Sequence, residues 1–466
     1  MRLARSKLTF SAALLTAWCL APWAAAAPRP NIVFVLADDL AWGDVGWHNC
    51  EIPTPNIDAL AASGAKLESH YVQPVCSPTR AALVTGRYPM RLGLQVGVIR
   101  PWAQYGLALD ERTLAQALHE AGYETAICGK WHLGHFQPEY LPTHRGFDHQ
   151  YGHYNGALDY FTHERDGGFD WHRDDQVCRD EGYTTDLVAR ECMRLIDARG
   201  GQPLFLYVPF NAVHSPYQAT AEDLKLVGEG PKKGQTYAAM LTALDRAVGQ
   251  IVAALDKQGM RENTLIVFSS DNGGAIKTRN PPLRSGKATL YEGGVRVSAC
   301  ASWPGHIPAG STVTAAIHIV DWYPTLINLA GGSLAQSHAI DGLDILPVLT
   351  QGAKSPHDAI LLNSTPNNGA LRMGDWKLIL NGDVKEEGDA GEASPAKRGG
   401  SKRAETVELF NLADDPYEKT NLADQQPEKV RELRARYDAL EREAATPKIA
   451  GPSKGFKAPA VWGQAD

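Results

Sequence analysis

Apolar residues along the chain follow two recurring patterns. Four short stretches are almost entirely apolar, namely residues 31–37 (NIVFVLA), 125–128, 204–209 (LFLYVP) and 265–269 (LIVFS). Between them, apolar residues recur three or four positions apart, as on one face of a helix, over 113–121, 184–198 and 237–255. Buried strands that alternate with amphipathic helices predict an α/β fold with a large, mostly parallel sheet flanked by helices.

The pattern changes after about residue 355. Four short strand-like pieces, 360–363, 371–373, 376–380 and 407–410, are separated by turn residues. The segment 427–443 is charged but carries a helical stripe of Val430, Leu433, Tyr437 and Leu440. We therefore predict one domain over 28–355 and a C-terminal subdomain over 356–466, built from a small antiparallel sheet and a helix. Residues 383–405 are charged and rich in Gly, Ala and Ser, which predicts a mobile loop.

The N-terminus has the pattern of a secretory signal peptide. Arg2, Arg5 and Lys7 precede an apolar run over 8–20, and four alanines follow at 24–27. A membrane anchor is the alternative, but the run is short for a span and ends at a plausible cleavage site. We predict a cleaved signal over 1–27 and export to the periplasm or the medium. No later stretch is expected to span a bilayer.

Composition and charge exclude several classes of protein. A chain of 466 residues is too long to be a small disulfide scaffold. Its 46 Lys and Arg against 53 Asp and Glu give a net charge of -7, so we expect no nucleic-acid partner. The cysteines form no CxxC motif, which argues against zinc held by cysteine.

Polar residues follow each of the four apolar strands. The strands lead, in order, into Asp38 and Asp39, into Lys130 and His132, into His214, and into Asp271 and Asn272. Each of these alone is also typical of an ordinary turn or cap. Ligands of open α/β sheets bind beyond the carboxyl ends of the strands, so together these residues predict one site. Three carboxylates and an amide oxygen suit Ca²⁺ or Mg²⁺ better than zinc, and Ca²⁺ is favoured in an exported protein.

Positive charge is expected beside this metal site. Lys130 follows the second strand, and Arg284 and Lys287 lie in a short segment after the fourth. Fixed cations next to a bound metal suit a tetrahedral oxyanion. The predicted ligand is therefore a phosphate or a sulfate ester.

The segment 74–80 (PVCSPTR) adds a candidate nucleophile. Pro78 can occupy the first turn of a helix, which places Cys76 at the helix N-terminus, where the dipole favours an anion. These residues alone suggest a cysteine thiolate with Arg80 one turn away. A buried cysteine in front of an ordinary helix explains them equally well.

Two motifs give the chain a family resemblance. The segment 76–80 (CSPTR), followed by Thr85-Gly86-Arg87, resembles the signature of type I sulfatases, in which the cysteine is converted to Cα-formylglycine. The segment 122–132 (GYETAICGKWH) resembles the second signature of that family and departs from it at Cys128. The resemblance extends from residue 31 to 416 and implies an alkaline-phosphatase-like fold, with the catalytic domain over 28–355.

The resemblance also implies roles for individual residues. It assigns one Ca²⁺ ion to Asp38, Asp39, Asp271 and Asn272, with the formylglycine at Cys76 reaching the same ion. It assigns the sulfate and the hydrated aldehyde to Arg80, Lys130 and Lys287, and proton transfer to His132 and His214.

The implied reaction begins when a hydroxyl of the aldehyde hydrate, deprotonated with the help of Asp271, attacks sulfur while His214 protonates the departing alcohol. His132 then takes the proton of the second hydroxyl, and sulfate leaves as the aldehyde re-forms. A formylglycine-generating enzyme that acts before folding is an implied partner.

Within the family, segments 141–148, 158–164 and 290–296 are most similar to arylsulfatase B, an N-acetylgalactosamine-4-sulfatase. We therefore expect a sulfatase that acts on a sulfated sugar and on small aryl sulfates, with its specificity set by loops 91–107 and 133–183. Two alternatives stay open, a phosphate or phosphonate monoester hydrolase of the same superfamily and a non-catalytic binder of sulfated glycans.

Overall fold

The computed structural model describes residues 29–228, 232–276, 280–366, 368–383, 405–449 and 451–464. The predicted signal peptide, 1–27, and nearly all of the predicted loop at 383–405 lie outside the described residues. The division into domains at residue 355 stays a prediction.

The predicted strands and helices form. In chain order, the strands are β1 (Asn31–Ala37), β2 (Ala65–Leu67), β3 (His70–Tyr71), β4 (Glu124–Lys130), β5 (His149–His153), β6 (Glu164–Arg165), β7 (Gly168–Phe169), β8 (His172–Arg173), β9 (Gln176–Val177), β10 (Leu204–Pro209), β11 (Thr264–Ser270), β12 (Cys300–Ser302), β13 (Ser311–Val313), β14 (Ile317–His318), β15 (Ile360–Ser364), β16 (Gly369–Met373), β17 (Trp376–Leu380) and β18 (Val407–Asn411). The α-helices are α1 (Pro55–Ala62), α2 (Cys76–Thr85), α3 (Leu114–Glu120), α4 (Thr184–Ala198), α5 (Ala221–Val227), α6 (Lys232–Lys257), α7 (Glu292–Val295), α8 (Trp322–Leu329), α9 (Leu346–Gln351) and α10 (Pro427–Glu441).

The main sheet has ten strands in the order β13-β2-β12-β11-β1-β10-β4-β5-β8-β9. Its middle five strands, from β11 to β5, run parallel, and β12 and β8 join them antiparallel on either side. The prediction of a large, mostly parallel sheet is confirmed. The four predicted apolar strands, β11, β1, β10 and β4, are direct neighbours, so their carboxyl ends meet at one rim.

Both faces of the sheet are covered. On β1, Phe34 and Leu36 belong to one apolar core, and Val33 and Val35 belong to a second core on the other face. Side chains of a strand alternate between its two faces. A strand buried on both sides therefore reads as a continuous apolar run, which is why the sequence reveals β1 so clearly.

The C-terminal sheet is antiparallel, in the order β15-β16-β17-β18. Helix α10 packs on β16 and β17. Its Leu433, Tyr437 and Leu440 are buried, and Val430 packs against the same core. The predicted small sheet with one covering helix is confirmed.

One helical stretch of the described residues, Gly234–Lys257 in α6, is long and apolar enough to cross a membrane by length and composition. A helix buried in the core of a protein meets the same criterion, so the prediction that no later stretch spans a bilayer stays a prediction. In the fold, Leu241, Leu244 and Val248 of this helix are completely buried, and α6 packs against α1, α4 and α5. The apolar residues of α6 therefore pack in the core of the protein.

Candidate active site

The rim of the main sheet brings the predicted site residues together. Asp38 and Asp39 directly follow β1, and Asp271 directly follows β11. Ala37, the last residue of β1, pairs with Ser270, the last residue of β11, so the two acidic segments leave the sheet side by side. Strand β4 extends two residues beyond its predicted end and delivers Lys130 from its last position, with His132 two residues further.

Several non-glycine residues at this rim have left-handed backbone conformations. Asp39 has φ 61° and His132 has φ 59°, and on either side of Lys287 stand Ser285 (φ 64°) and Ala288 (φ 63°). Such conformations are unfavourable for residues with a Cβ and persist where the surrounding structure enforces them. Four residues with this unfavourable backbone conformation thus lie at or beside the predicted functional side chains.

Helix α2 provides the next part of the site. It begins at Cys76, with Pro78 in its first turn, as the sequence predicts. The Cys76 side chain is buried, and Arg80 lies one turn further along with no exposed surface. Arg80 donates two hydrogen bonds to Asp271 Oδ2, from Nε at 3.1 Å and Nη2 at 2.8 Å, and one from Nη1 to the Lys130 carbonyl at 2.9 Å. Helix α2 is therefore fixed to the ends of β11 and β4.

Three cations face three carboxylates in this buried site. Lys130 Nζ lies 2.5 Å from Asp38 Oδ2, and Lys287 Nζ lies 3.2 Å from Asp39 Oδ2. Arg80, besides its bonds to Asp271, lies 3.5 Å from Asp38. An unpaired buried charge would cost several kcal/mol, so this pairing allows six charged side chains to be buried together.

The oxygen atoms of this site fit a hard cation. Ligand atoms of Asp38, Cys76 and Asp271 lie within 4.8 Å of one another. Among the described residues, neither Asp38 Oδ1 nor Asn272 Oδ1 has a hydrogen-bond partner, although both are buried. Asn272 instead donates from Nδ2 to Asp39 Oδ1 at 2.7 Å. Buried, unsatisfied oxygens from a carboxylate and an amide are the ligand types that Ca²⁺ and Mg²⁺ prefer.

The charge state of Asp271 supports the same interpretation. Burial raises the pKa of Asp271, and the neighbouring Asp38 raises it further, against the opposing effect of Arg80 and Lys130. Two carboxylates that repel each other in a buried site are stabilised by a cation placed between them.

His132 has one ring nitrogen available for chemistry. Its Nε2 lies 3.0 Å from the Ile99 carbonyl, which can only accept, so Nε2 carries the hydrogen. Nδ1 has no hydrogen-bond partner among the described residues. Burial lowers the pKa of His132 well below its usual value, and Lys130 and Arg80 lower it further. His132 is therefore a neutral imidazole with an unshared lone pair on Nδ1.

His214 lies on the other side of the site. Its Nδ1 donates to the Ser215 carbonyl at 2.6 Å. Its Nε2 is 3.3 Å from Lys287 Nζ and 3.7 Å from Asp39 Oδ2. This orientation turns Nε2 towards the charged groups of the site.

Burial decides the state of the cysteine. It raises the pKa of the Cys76 thiol to about 12, although Lys130 and Lys287 act in the opposite direction. An unmodified Cys76 is therefore protonated at neutral pH and a poor nucleophile. This protonation state argues against the thiolate interpretation that was drawn from the residues alone.

A small pocket that is open to the solvent leads to these groups. Its lining combines predicted site residues with two loops: Cys76, His132, His214, Lys287, Val98, Ile99, Arg100, Pro101, Gly156, Ala157 and Arg165. The loops fall within 91–107 and 133–183, the ranges expected to set the specificity. The sequence analysis did not single out Arg100 or Arg165. For Arg165 a signal was available, because this arginine lies in a loop that is rich in His, Tyr and Trp.

A sequence profile described as Sulfatase matches residues 30–333. The match spans more than half of the 466 residues. The chain belongs to the sulfatase family. Arylsulfatase J of Mus musculus is 36% identical to this sulfatase over 459 residues, which cover 89% of this chain and 76% of that protein. N-acetylgalactosamine-6-sulfatase of Mus musculus is 35% identical over 369 residues, which cover 73% of this chain and 70% of that protein.

A similar fold is seen in the crystal structure of Ps i-CgsB in complex with k-i-k-neocarrahexaose. The TM-score is 0.79 at 30% identity, with 92% of this chain and 95% of that chain covered. The comparisons confirm the predicted family, the enzyme class and the alkaline-phosphatase-like fold. The similarity to arylsulfatase B stays a prediction, because these two relatives bear the names of another arylsulfatase and of a 6-sulfatase.

Proposed function

We propose that this sulfatase releases inorganic sulfate from a sulfated saccharide, and from small aryl sulfates, in the pocket that contains Cys76. The observation that carries the proposal is the position of Cys76 at the start of α2, among three buried cations and three buried carboxylates. Negative charge develops on the departing oxygen as a sulfate ester is cleaved. Fixed donors aimed at the departing oxygen and at the sulfate oxygens stabilise the charge on each of them without having to reorganise.

The donor set supports one Ca²⁺ ion held by Asp38, Asp39, Asp271 and Asn272, next to the side chain at position 76. Ca²⁺ accepts irregular sets of six to eight oxygen ligands, which fits carboxylates combined with one amide. When bound, the ion supplies positive charge that polarises a sulfate oxygen and acidifies a neighbouring hydroxyl.

The proposal includes conversion of Cys76 to Cα-formylglycine (3-oxoalanine) by a formylglycine-generating enzyme. Its support is the state of the cysteine, since burial keeps the unmodified thiol protonated. A sulfated thiol would also have no second hydroxyl with which to expel sulfate. The modified side chain supplies a hydrated aldehyde, which has two hydroxyls.

The remaining residues bind the substrate and move protons. Arg80, Lys130 and Lys287 donate to the sulfate oxygens and to the group at position 76. In its protonated form, His214 donates from Nε2 to the departing alcohol oxygen, because that nitrogen faces Lys287 and Asp39 at the pocket. His132 accepts a proton at Nδ1, the nitrogen with no partner among the described residues. Asp271 lies beside Cys76 and assists the first deprotonation.

The substrate class rests on the relatives. Ps i-CgsB was crystallised with a carrageenan-type oligosaccharide, k-i-k-neocarrahexaose, and one relative is named as an N-acetylgalactosamine sulfatase. We extend the sulfated-saccharide class to this chain and retain the predicted export to the periplasm or the medium. The proposal also includes two expected absences. We expect no membrane-spanning segment after signal cleavage and no nucleic-acid partner.

The test compares matched aryl sulfate and aryl phosphate substrates, using Ca²⁺-loaded protein made with its maturation enzyme. Sulfate release should exceed phosphate release, and Cys76→Ala should abolish it. Cys300→Ala is the control, because Cys300 is equally buried but lies in β12, outside the pocket. Mass spectrometry of the peptide that contains residue 76 reports its conversion.

Other outcomes identify the alternatives. Faster phosphate or phosphonate release would indicate a monoester hydrolase of the same superfamily. Tight binding of sulfated glycans without any sulfate release would indicate a binding protein. Initial rates on N-acetylgalactosamine 4-sulfate and 6-sulfate then test the predicted similarity to arylsulfatase B.

A further inference from the structure

We propose that Arg100 and Arg165 form a second anion-binding subsite, so that the preferred substrate is a saccharide with another anionic group besides the ester that is cleaved. That group is a carboxylate or a second sulfate. This inference rests on the proposed sulfatase function and specifies its substrate class.

The two arginines share a pocket with the predicted catalytic groups. Arg100 lies in the loop over Val98–Pro101, and Arg165 ends β6, yet both line the cavity that contains Cys76, His214 and Lys287. A saccharide whose sulfate reaches Cys76 therefore passes within range of one or both guanidinium groups. Their planar arrays of N–H donors match carboxylate and sulfate oxygens.

Charge in the pocket favours an anionic ligand. The inner cations are already paired with Asp38, Asp39 and Asp271. Among the described residues that line the pocket there is no Asp or Glu. The two arginines thus add positive charge to a lining without acidic residues, which favours an anionic ligand.

The hydrogen bonding of Arg165 leaves donor capacity for a ligand. Its Nε is buried and has no hydrogen-bond partner among the described residues. This Nε lies 3.4 Å from Asp166 Oδ2, and about half of the Asp166 side chain is exposed. A long, partly exposed ion pair of this kind contributes little, so exchange of Asp166 for a substrate anion costs little.

Arg100 is held by a rigid backbone segment. The Ile99 N–H donates to Ser77 Oγ at 3.0 Å, and the Ile99 carbonyl accepts from His132. The Pro101 carbonyl accepts from His135 Nε2 at 3.2 Å. The residues on either side of Arg100 are thus fixed to α2 and to the catalytic segment, which sets the position of its Cα before substrate binds.

Arg165 is held by the C-terminal segment of the chain. Trp462 Nε1 donates to the Arg165 carbonyl at 2.8 Å. Trp462 N–H donates to the Phe169 carbonyl, and Phe169 N–H donates to the Ala460 carbonyl, both at 2.9 Å. The C-terminal segment therefore pairs with the β6–β7 hairpin, and Trp462 is a positioning residue for Arg165.

The experiment compares kcat/KM on four substrates: an aryl sulfate, a neutral disaccharide with one sulfate, the same disaccharide with a second sulfate, and one with a uronate. Wild-type protein should favour at least one of the two charged saccharides over the neutral one. Arg100→Gln and Arg165→Gln should reduce that preference at least about tenfold, mainly through KM. Arg165→Lys should retain part of it.

Two further variants separate direct binding from other effects. Arg179→Gln removes an equal charge beside the same hairpin, where the Arg179 guanidinium lies 4.4 Å from the Phe169 ring centre, but Arg179 does not line the pocket. It should leave the preference unchanged. Trp462→Phe removes the N–H bond to Arg165 and retains an aromatic ring, and it should weaken the preference less than Arg165→Gln.

The outcomes are distinguishable. If wild-type protein hydrolyses the aryl sulfate but does not prefer either charged saccharide, or if Arg179→Gln changes the preference as much as Arg165→Gln, the subsite is wrong and the proposed function stands. If no substrate releases sulfate, the proposed function itself is wrong. Thermal unfolding of each variant verifies that it is folded.

Discussion

Arg80 donates from both Nε and Nη2 to a single oxygen of Asp271, Oδ2, at 3.1 and 2.8 Å. The second oxygen, Oδ1, receives the Asp39 N–H at a longer 3.3 Å. The guanidinium also reaches the Lys130 carbonyl, so one side chain from α2 connects the ends of β11 and β4 across the two strands between them. Arg80 is thus both a charge in the site and a structural connection across its floor.

The variant Arg80→Lys should separate the hydrogen bonds of Arg80 from its positive charge. Lysine keeps the positive charge but offers one nitrogen, which cannot bond Asp271 and the Lys130 carbonyl in the same geometry. We expect kcat on an aryl sulfate to fall at least about 100-fold. We expect the free energy of unfolding in urea to fall by about 1–3 kcal/mol.

Arg87→Lys is the matched control for that variant. Arg87 pairs with Glu111, and neither residue lines the pocket. This change should lower stability while the kcat of the folded fraction stays at the wild-type value. Equal losses of kcat in the two variants would contradict the role given to Arg80.

Calcium should stabilise the folded protein. An ion that binds the native state adds about 2.7 kcal/mol at a concentration of one hundred times its Kd. Thermal unfolding of chelator-treated protein, with and without Ca²⁺, measures this directly, and Asp38→Asn should remove the shift. Asp245→Asn is the control, because Asp245 accepts from the N–H groups of Asn56 and Ile57, outside the predicted metal site. A shift that survives in Asp38→Asn would place the ion elsewhere.

Acid should destabilise the fold through His70. Burial lowers its pKa from 6.5 to about 3, and its Nε2 accepts from Trp322 Nε1 at 3.0 Å. The unfolded chain therefore binds a proton below about pH 6.5 that the folded protein does not bind until about pH 3. Stability is lost as the pH falls through this window, by at most about 1.4 kcal/mol per pH unit for one proton.

The measurement for this prediction is urea denaturation at several pH values, for wild-type protein and His70→Gln. Glutamine does not titrate, so the difference in stability between the two proteins should change with pH below 6.5 and be constant above it. Two parallel curves would refute the prediction.

Lys377 should be essential for the attachment of the C-terminal sheet. Its Nζ lies 2.8 Å from both Glu292 and Glu418, and the Lys377 and Glu292 side chains have no exposed surface. Lys377→Met leaves two carboxylates without their cation in a buried position, which should cost about 3–5 kcal/mol of unfolding free energy. Lys429→Met is the control, because the Lys429–Glu432 pair is partly exposed and should cost less than about 1 kcal/mol. Comparable losses in both would show that burial of the pair is unimportant.

The sequence was most informative where one local pattern determines the outcome. β1 and β10 are buried on both faces, so their apolar runs give the bounds that the structure shows. The sequence also predicted that the residues after these strands lie together at one rim, because neighbouring parallel strands end on the same side of a sheet. The extension of β4 to Lys130 was missed, since it depends on pairing with β5, where Gly129 lies opposite Gly152 and Lys130 opposite His153.

The positions of Arg100 and Arg165 could not be predicted from local sequence patterns for a similar reason. The Arg165 carbonyl accepts a hydrogen bond from Trp462, which lies nearly 300 residues away along the chain, and this bond fixes the position of Arg165. Loop 98–101 is fixed by Ser77 and by two histidines from later segments. Contacts of this kind depend on the complete fold, and no periodicity of apolar residues encodes them.

The burial of Cys76 sets an order of events during biosynthesis. The groups that enclose it come from both sides along the chain, with Asp38 before it and Lys287 roughly 210 residues after it. At about 5–20 residues per second, a growing chain needs some ten to forty seconds to supply that second part. If Cys76 is converted as we propose, the modifying enzyme has this interval, while the polypeptide is still being made, in which position 76 is open to the solvent. Once Lys287 and the end of β11 are in place, the Cys76 side chain is buried beneath the pocket that it lines, so we expect the proposed conversion to precede this stage.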